Sequence, residues 1–251
     1  MQILIVNDDG WSEGVAALAN YFKSRGDEVT AVLPDRNRSG AGASITITRA
    51  IKVTRQPSLI VPNLWYCDGT PVDCVNVGMK LTKPDLVVSG INLGLNLGED
   101  ARYSGTINAA VEATSNGVQS IAFSFDGNND EIVAHRNAIE EAIETVMNCP
   151  LKMFTSVNIP KEPDGAKFTK LSKTAHLTSM VFTNGENFDN YTEGVNSQNA
   201  GPVKFQKFHG SGEMELEYQW TPIYLPAEDT DAQAIQENLV SITTLDGLNY
   251  A

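Results

Sequence analysis

Cysteine is scarce in this chain. Cys67, Cys74 and Cys149 are odd in number and form no Cys-x-x-Cys, which argues against a disulfide framework and against a zinc site. Long hydrophobic runs are also missing, and none approaches the ~18 residues of a membrane span. The N-terminus enters a strand with no basic, apolar leader. These absences predict a cytoplasmic protein with no membrane partner. Positive charge is short too: 18 Lys and Arg face 31 Asp and Glu, a formal net charge of −13. Such a balance disfavours a nucleic-acid polymer as ligand, because phosphate contacts need Lys and Arg. The deficit is uneven. Residues 1–110 hold 11 acidic and 10 basic side chains, and the remainder holds 20 and 8. Arg36, Arg38 and Arg102 lie in the near-neutral part, so a small phosphorylated ligand stays compatible with it.

What is present suffices for one large core, or for a domain with an extension, in 251 residues of which 41% are apolar. The chain opens on Ile3–Val6, a short apolar, β-branched run that reads as a buried strand. Asn7-Asp8-Asp9-Gly10 follows as a turn and sets two adjacent carboxylates at the carboxyl end of that strand. Their repulsion is relieved by a proton or a cation, and Mg²⁺ or Mn²⁺ suits oxygen ligands. The same four residues are also good turn chemistry for capping the next helix, so both readings stand at this point.

Val15, Leu18, Ala19 and Phe22 predict an amphipathic helix over Gly14–Arg25, ended by Gly26. Val29–Leu33 is a second strand, making a βαβ unit with parallel strands. A loop with Arg36, Arg38, Ser39 and two glycines leaves its end. Ser44–Thr48 and Ile51–Thr54 read as short strands of a hairpin, and Trp65–Asp68 as another strand. Thr70-Pro71-Val72-Asp73 starts a helix that runs to about Leu81. Asp85–Ser89 is a buried strand followed by Gly90–Gly98, whose spaced glycines let backbone amides approach a ligand. Ser104 and Thr106 precede a helix over Ile107–Asn116, whose start offers either an anion site or a plain cap. Gln119–Ser124 and Phe154–Pro160 are further strands, with one long helix over Asn129–Asn148 between them.

Beyond Pro160 the periodicity thins. Lys170–Thr178 and Met180–Thr183 have strand character, and Asn184–Gly201 is polar and rich in Asn and Gly. Lys204–Phe208 with Met214–Trp220 suggest a hairpin. Asp231–Asn238 could form a short helix and Val240–Thr243 a last strand.

Three strand ends therefore carry Asp8-Asp9, the Arg36–Ser39 loop and Asn92. A doubly wound sheet gathers such ends at one crevice. Two carboxylates, a hydroxyl and an amide oxygen make an all-oxygen donor set beside helix N-terminal amides, which describes phosphoryl chemistry. His135, His176 and His209 fall outside that set and read as surface or packing residues. No G-x-S-x-G elbow or G-x-G-x-x-G fingerprint occurs.

Ile-Val-Asn-Asp-Asp-Gly, Pro-Asp-Arg-Asn-Arg-Ser-Gly, Gly-Thr-Pro-Val-Asp-Cys-Val, Pro-Asp-Leu-Val-Val-Ser-Gly-Ile-Asn-x-Gly-x-Asn-x-Gly and Tyr-Ser-Gly-Thr resemble, in order and spacing, the SurE family of metal-dependent 5′/3′-nucleotidases. The tail from Thr230-Asp-Ala to Leu245 is similar to the family's ending. Between about 160 and 225 the chain departs from the family's arginine- and aromatic-rich pattern. The resemblance implies an α/β, Rossmann-like, doubly wound and mostly parallel sheet over 1–178. An extension over 179–251, with a hairpin and an exchanged arm, would serve a homodimer or homotetramer. By motif position Asp8, Asp9, Ser39 and Asn92 would hold one divalent ion per subunit, Mg²⁺ or Mn²⁺. Asn96, Ser104, Gly105 and Thr106 would line the phosphate site, with Asp8 and Asp9 catalytic. The expected reaction is hydrolysis of nucleoside 5′-monophosphates, with 3′-monophosphates and short polyphosphate as further substrates. The alternative is a metal-dependent nucleotide or phosphate sensor without turnover.

Overall fold

The computed structural model describes residues 1–182, 188–193, 203–208, 216–225 and 227–245. Two compact units divide it: Met1–Ser172 with Pro226–Ala251, and Lys173–Leu225. In the first unit the chain runs β1 (Gln2–Val6), α1 (Glu13–Ser24), β2 (Glu28–Pro34), β3 (Val53–Arg55), β4 (Asn63–Cys67), α2 (Pro71–Leu81) and β5 (Leu86–Leu93). A 3-10 turn over Gly98–Tyr103 leads into α3 (Gly105–Ser115), β6 (Gln119–Phe125), α4 (Asn129–Ala134), α5 (Arg136–Met147), β7 (Phe154–Ile159) and β8 (Ala166–Thr169). The second unit holds β9 (Lys173–Phe182), β10 (Phe188–Glu193), β11 (Val203–Phe208) and β12 (Leu216–Leu225); the chain then adds α6 (Asp231–Gln236) and β13 (Val240–Leu245) to the first.

Nine strands form one sheet in the order β3-β4-β2-β1-β5-β6-β7-β13-β8. Every pair from β4 through β7 is parallel. β3 runs antiparallel to β4 and β13 antiparallel to β7. The sheet grows outward in one direction from β1 and in the other from β5. Their carboxyl ends therefore flank the switch point where ligands enter such sheets. The central strands are buried on both faces, which is why they read as continuous apolar runs and do not alternate. Ile3, Ile5, Leu33 and Val88 pack with Val15, Phe22 and Ile143 of α1 and α5 on one side. Leu4, Val6, Val32 and Val87 pack with Val75 and Ala109 of α2 and α3 on the other.

Several expectations are corrected. Ser44–Thr48 is irregular, and the hairpin pairs β3 with β4. The backbone of 44–46 bonds instead to the start of α2: Thr46 N–H donates to both Asp73 carboxylate oxygens (3.2 and 3.1 Å), and Thr70 Oγ1 donates to Ser44 O (2.6 Å). The long helix over 129–148 is two helices broken at His135 (φ −102°, ψ 20°). No proline or glycine marks that break in the sequence. The segments 170–178 and 180–183 merge into β9, which pairs with β12, while β10 pairs with β11. Among the described residues β11 and β12 do not pair, so the hairpin expected between 204–208 and 214–220 is not formed there, and strand β10 lies within the polar stretch 184–201.

Candidate active site

The first turn is built by Asn7. Its Nδ2 donates to Gly10 O (2.6 Å) and its Oδ1 accepts from Gly10 N–H (3.1 Å). Closing the turn this way needs Gly10 at φ +85°, a conformation only glycine adopts without strain. The turn aims Asp8 inward, where it is buried, and leaves Asp9 half-buried.

The N-terminus of α3 meets Asp8. Thr106 Oγ1 donates to Asp8 Oδ1 (2.6 Å), with Asn92 Oδ1 a second, longer acceptor at 3.3 Å. Asn92 is turned that way because its Nδ2 donates to Gly94 O (2.8 Å). A Cβ on Gly105 would lie 2.8 Å from Asp8 Cβ and 2.9 Å from Asp8 Oδ2, so glycine permits the helix start to approach the carboxylate. Burial pushes the Asp8 carboxyl up; bonds from Thr106 and from the Gly105 backbone oppose it without reversing it. Asp9 is raised to about 6, first by burial and then by the neighbouring Asp8 charge, with the Leu93 backbone opposing.

The loop after β2 joins from the other side. Asn37 Nδ2 donates to Asp9 Oδ1 (3.0 Å), and Arg38 N–H donates to Asp8 O (2.7 Å). Ser39 follows, exposed, with its N–H on Asn37 Oδ1 (2.9 Å). Asn37 stands in the Pro-Asp-Arg-Asn-Arg-Ser-Gly segment two residues before Ser39, and its contact with Asp9 carries no signal in the sequence. Asp8, Asp9, Asn92 and Thr106 thus converge, Ser39 stands one residue beyond the loop's bonds to the turn, and Ser104 caps α3 by accepting from Ile107 N–H (3.1 Å). Asn96 is held deeper, its Nδ2 donating to Ser124 Oγ (2.7 Å). Asn108, outside the expected site set, fixes the bend before α3 by donating to Arg102 O (3.0 Å) and Ser104 O (2.8 Å). His135 sits apart, against the Phe125 ring at 6.3 Å; the His176 side chain and His209 lie outside the described residues.

Asp9 Oδ2 is buried and has no hydrogen-bond partner among the described residues. An orphaned carboxylate oxygen beside a second carboxylate is costly unless a cation or proton completes it. Among the described residues no three His, Cys or acidic side chains gather, so a ligand set here draws on two carboxylates and neutral oxygens. That set fits a hard divalent ion that keeps several waters.

Residues 3–178 match the family model described as survival protein SurE. The chain is 41% identical over 193 residues to 5′-nucleotidase SurE of Vibrio cholerae serotype O1, covering 72% of this chain and 74% of that protein. It is 35% identical over 257 aligned residues to 5′-nucleotidase SurE of Thermosynechococcus vestitus, covering 98% and 90%. The crystal structure of the SurE protein from Aquifex aeolicus aligns with a TM-score of 0.71 at 33% identity, covering 100% of this chain and 96% of that one. With the family match spanning most of the chain and the same fold in a solved relative, this chain belongs to the SurE family.

Proposed function

We propose that the chain is a divalent-metal-dependent phosphomonoesterase that hydrolyses nucleoside 5′-monophosphates to nucleoside and phosphate. The relatives named as 5′-nucleotidases support the substrate class. The single observation that carries the reading at this chain's own site is the orphaned Asp9 Oδ2 beside Asp8, at the switch point of the sheet. Asp8, Asp9 and Asn92 would hold one Mg²⁺ or Mn²⁺ per subunit, with Ser39 completing the set from the β2 loop. A bound divalent ion supplies charge neutralisation for the phosphate oxygens and makes a nearby water more acidic.

The protein's own groups do the rest. Thr106 holds Asp8 in one rotamer through its hydroxyl, and Asn37 does the same for Asp9. Ser104 would offer its hydroxyl to the phosphoryl oxygens at the start of α3, where a positive helix end favours developing negative charge. Asn96 adds a side-chain donor. Water would attack phosphorus in line with the ribose oxygen: one P–O bond forms, the P–O bond to the ribose breaks, Asp8 or Asp9 takes the proton that the water loses, and the departing oxygen takes one from solvent.

No helix among the described residues is long and apolar enough to cross a membrane, and Cys67, Cys74 and Cys149 are free thiols. Both fit a cytoplasmic setting. We further propose a homodimer or homotetramer. The unit Lys173–Leu225 consists, among its described residues, of two separate two-stranded pairs, and such pairs are marginal in water unless covered. Light scattering on the purified chain tests the assembly; a monomer at micromolar concentration would contradict it. Phosphate release from 5′- and 3′-monophosphates and from short polyphosphate, with Mn²⁺, Mg²⁺ or a chelator, tests the chemistry. Metal-dependent binding without release would instead favour a sensor.

A further inference from the structure

Gly94–Leu97 carries Asn96 but belongs to no helix or strand, and the glycines that bound it, Gly94 and Gly98 at the start of the 3-10 turn, sit at positive φ (107° and 54°). A stretch of that kind stays mobile unless other parts of the chain tie it down. Two buried side chains from distant sequence do so. Asn158 on β7, 1% exposed, accepts from Asn96 N–H through Oδ1 (2.8 Å) and donates through Nδ2 to Asn96 O (3.1 Å). Asp231 at the start of α6, 0% exposed, accepts from Gly98 N–H through Oδ2 (2.8 Å). Its Oδ1 accepts from Ser172 N–H (2.8 Å) and Ala232 N–H (2.8 Å).

We propose that Asn158 and Asp231 are positioning residues for phosphate recognition, clamping the Gly94–Gly98 segment so that Asn96 meets a phosphate oxygen in a fixed place. The inference rests on the reading of Asn96 as a phosphate contact. The α6 cap does not need Asp231, because Thr230 already accepts from Gln233 N–H (3.4 Å). Burying a carboxylate is costly and is tolerated where backbone donors surround it; here one of those donors belongs to the Asn96 segment. Asn158 grips the main chain of Asn96 on both sides, as a neighbouring strand would, at a place where no ladder continues. Ser124 takes one Nδ2 proton of Asn96, which leaves the second for a ligand.

The test compares Asn158→Ala and Asp231→Asn, each alone and combined with Asn96→Ala, in the full-length protein loaded with Mn²⁺. Three quantities are read: inorganic phosphate affinity by calorimetry, kcat/KM for adenosine 5′-monophosphate, and Mn²⁺ affinity. Each single variant should weaken phosphate binding and lower kcat/KM about tenfold, since small misplacements of a contact are costly, while Mn²⁺ affinity stays within about twofold. In the Asn96→Ala background the further loss should shrink to less than about twofold, the signature of a shared pathway. Equal losses in both backgrounds, or no loss in either single variant, would overturn the clamp; so would an Asn96→Ala protein with unchanged phosphate affinity. Should Asn158→Ala fail to fold, Asp231→Asn decides, since it keeps the side chain's size and one acceptor oxygen. A wild-type protein that binds phosphate without releasing it from the nucleotide sinks the nucleotidase reading alone, and the binding data still judge the clamp.

Discussion

At Asp9, burial and the Asp8 charge both raise the carboxyl, to about 6. The folded, metal-free protein therefore holds that proton more tightly than the unfolded chain, whose aspartates titrate near 3.9. Its stability falls as pH rises from about 4 through 6 and stays lower above. Asp9→Asn should accordingly stabilise the chelated protein at pH 7.5 by about 1–2 kcal/mol after allowance for partial exposure, seen as a higher melting temperature, while removing most turnover. A chelated variant that melts at or below the wild-type temperature would count against this. Metal must displace the same proton, so Mn²⁺ affinity in a titration should climb from pH 5 to about 6.5 and then level off; a flat profile would contradict the assignment. Asp8, Asp9 and Asn92 were legible in the sequence because a carboxylate or amide at a strand end is a local signal. Asn37 was harder to find, since its bond to Asp9 spans two loops.

Among the elements, the start of α3 sets the tightest geometry. Gly105→Ala would drive a methyl group within 2.8 Å of Asp8 Cβ and 2.9 Å of Pro71 Cγ. Calorimetry should find Mn²⁺ affinity reduced at least about tenfold, since Asp8, proposed above as a metal ligand, must shift; unchanged affinity would show that the helix start yields instead. At α2, burial alone would raise Asp73, but bonds from Thr46 and from Thr70 outweigh it and hold the carboxyl below its ordinary value. Its stabilisation is present above pH 4 and lost as pH falls through that lowered value. Asp73→Asn should cost about 1–2 kcal/mol at pH 7, with the gap narrowing in acid melts. The capping box itself could be read from Thr70-Pro71-Val72-Asp73. What the sequence hid was that Asp73 also recruits 44–46, so a β-branched run with strand propensity became a loop. The break at His135 was hidden for the opposite reason: α4 and α5 both have helical composition and no breaker between them.

Over the whole molecule, parallel strands buried on both faces made β1, β2, β5, β6 and β7 readable, and the switch point between β1 and β5 followed from their order. The far edge did not. β13 enters between β7 and β8 from the end of the chain, and a partner so distant leaves no local pattern. Its Val240 and Ile242 are buried in the same core as Ile3 and Val157. A chain ended at Leu225 should lose cooperative unfolding by circular dichroism; a melt like that of the full chain would show the strand to be dispensable. The most direct test of the central claim is phosphate release from adenosine 5′-monophosphate, followed with and without chelator in wild type and Asp9→Asn. The site described here predicts release that needs Mn²⁺ or Mg²⁺, stops on chelation and falls by at least about a hundredfold in Asp9→Asn. Release that persists under chelator, or in Asp9→Asn at the wild-type rate, would contradict it.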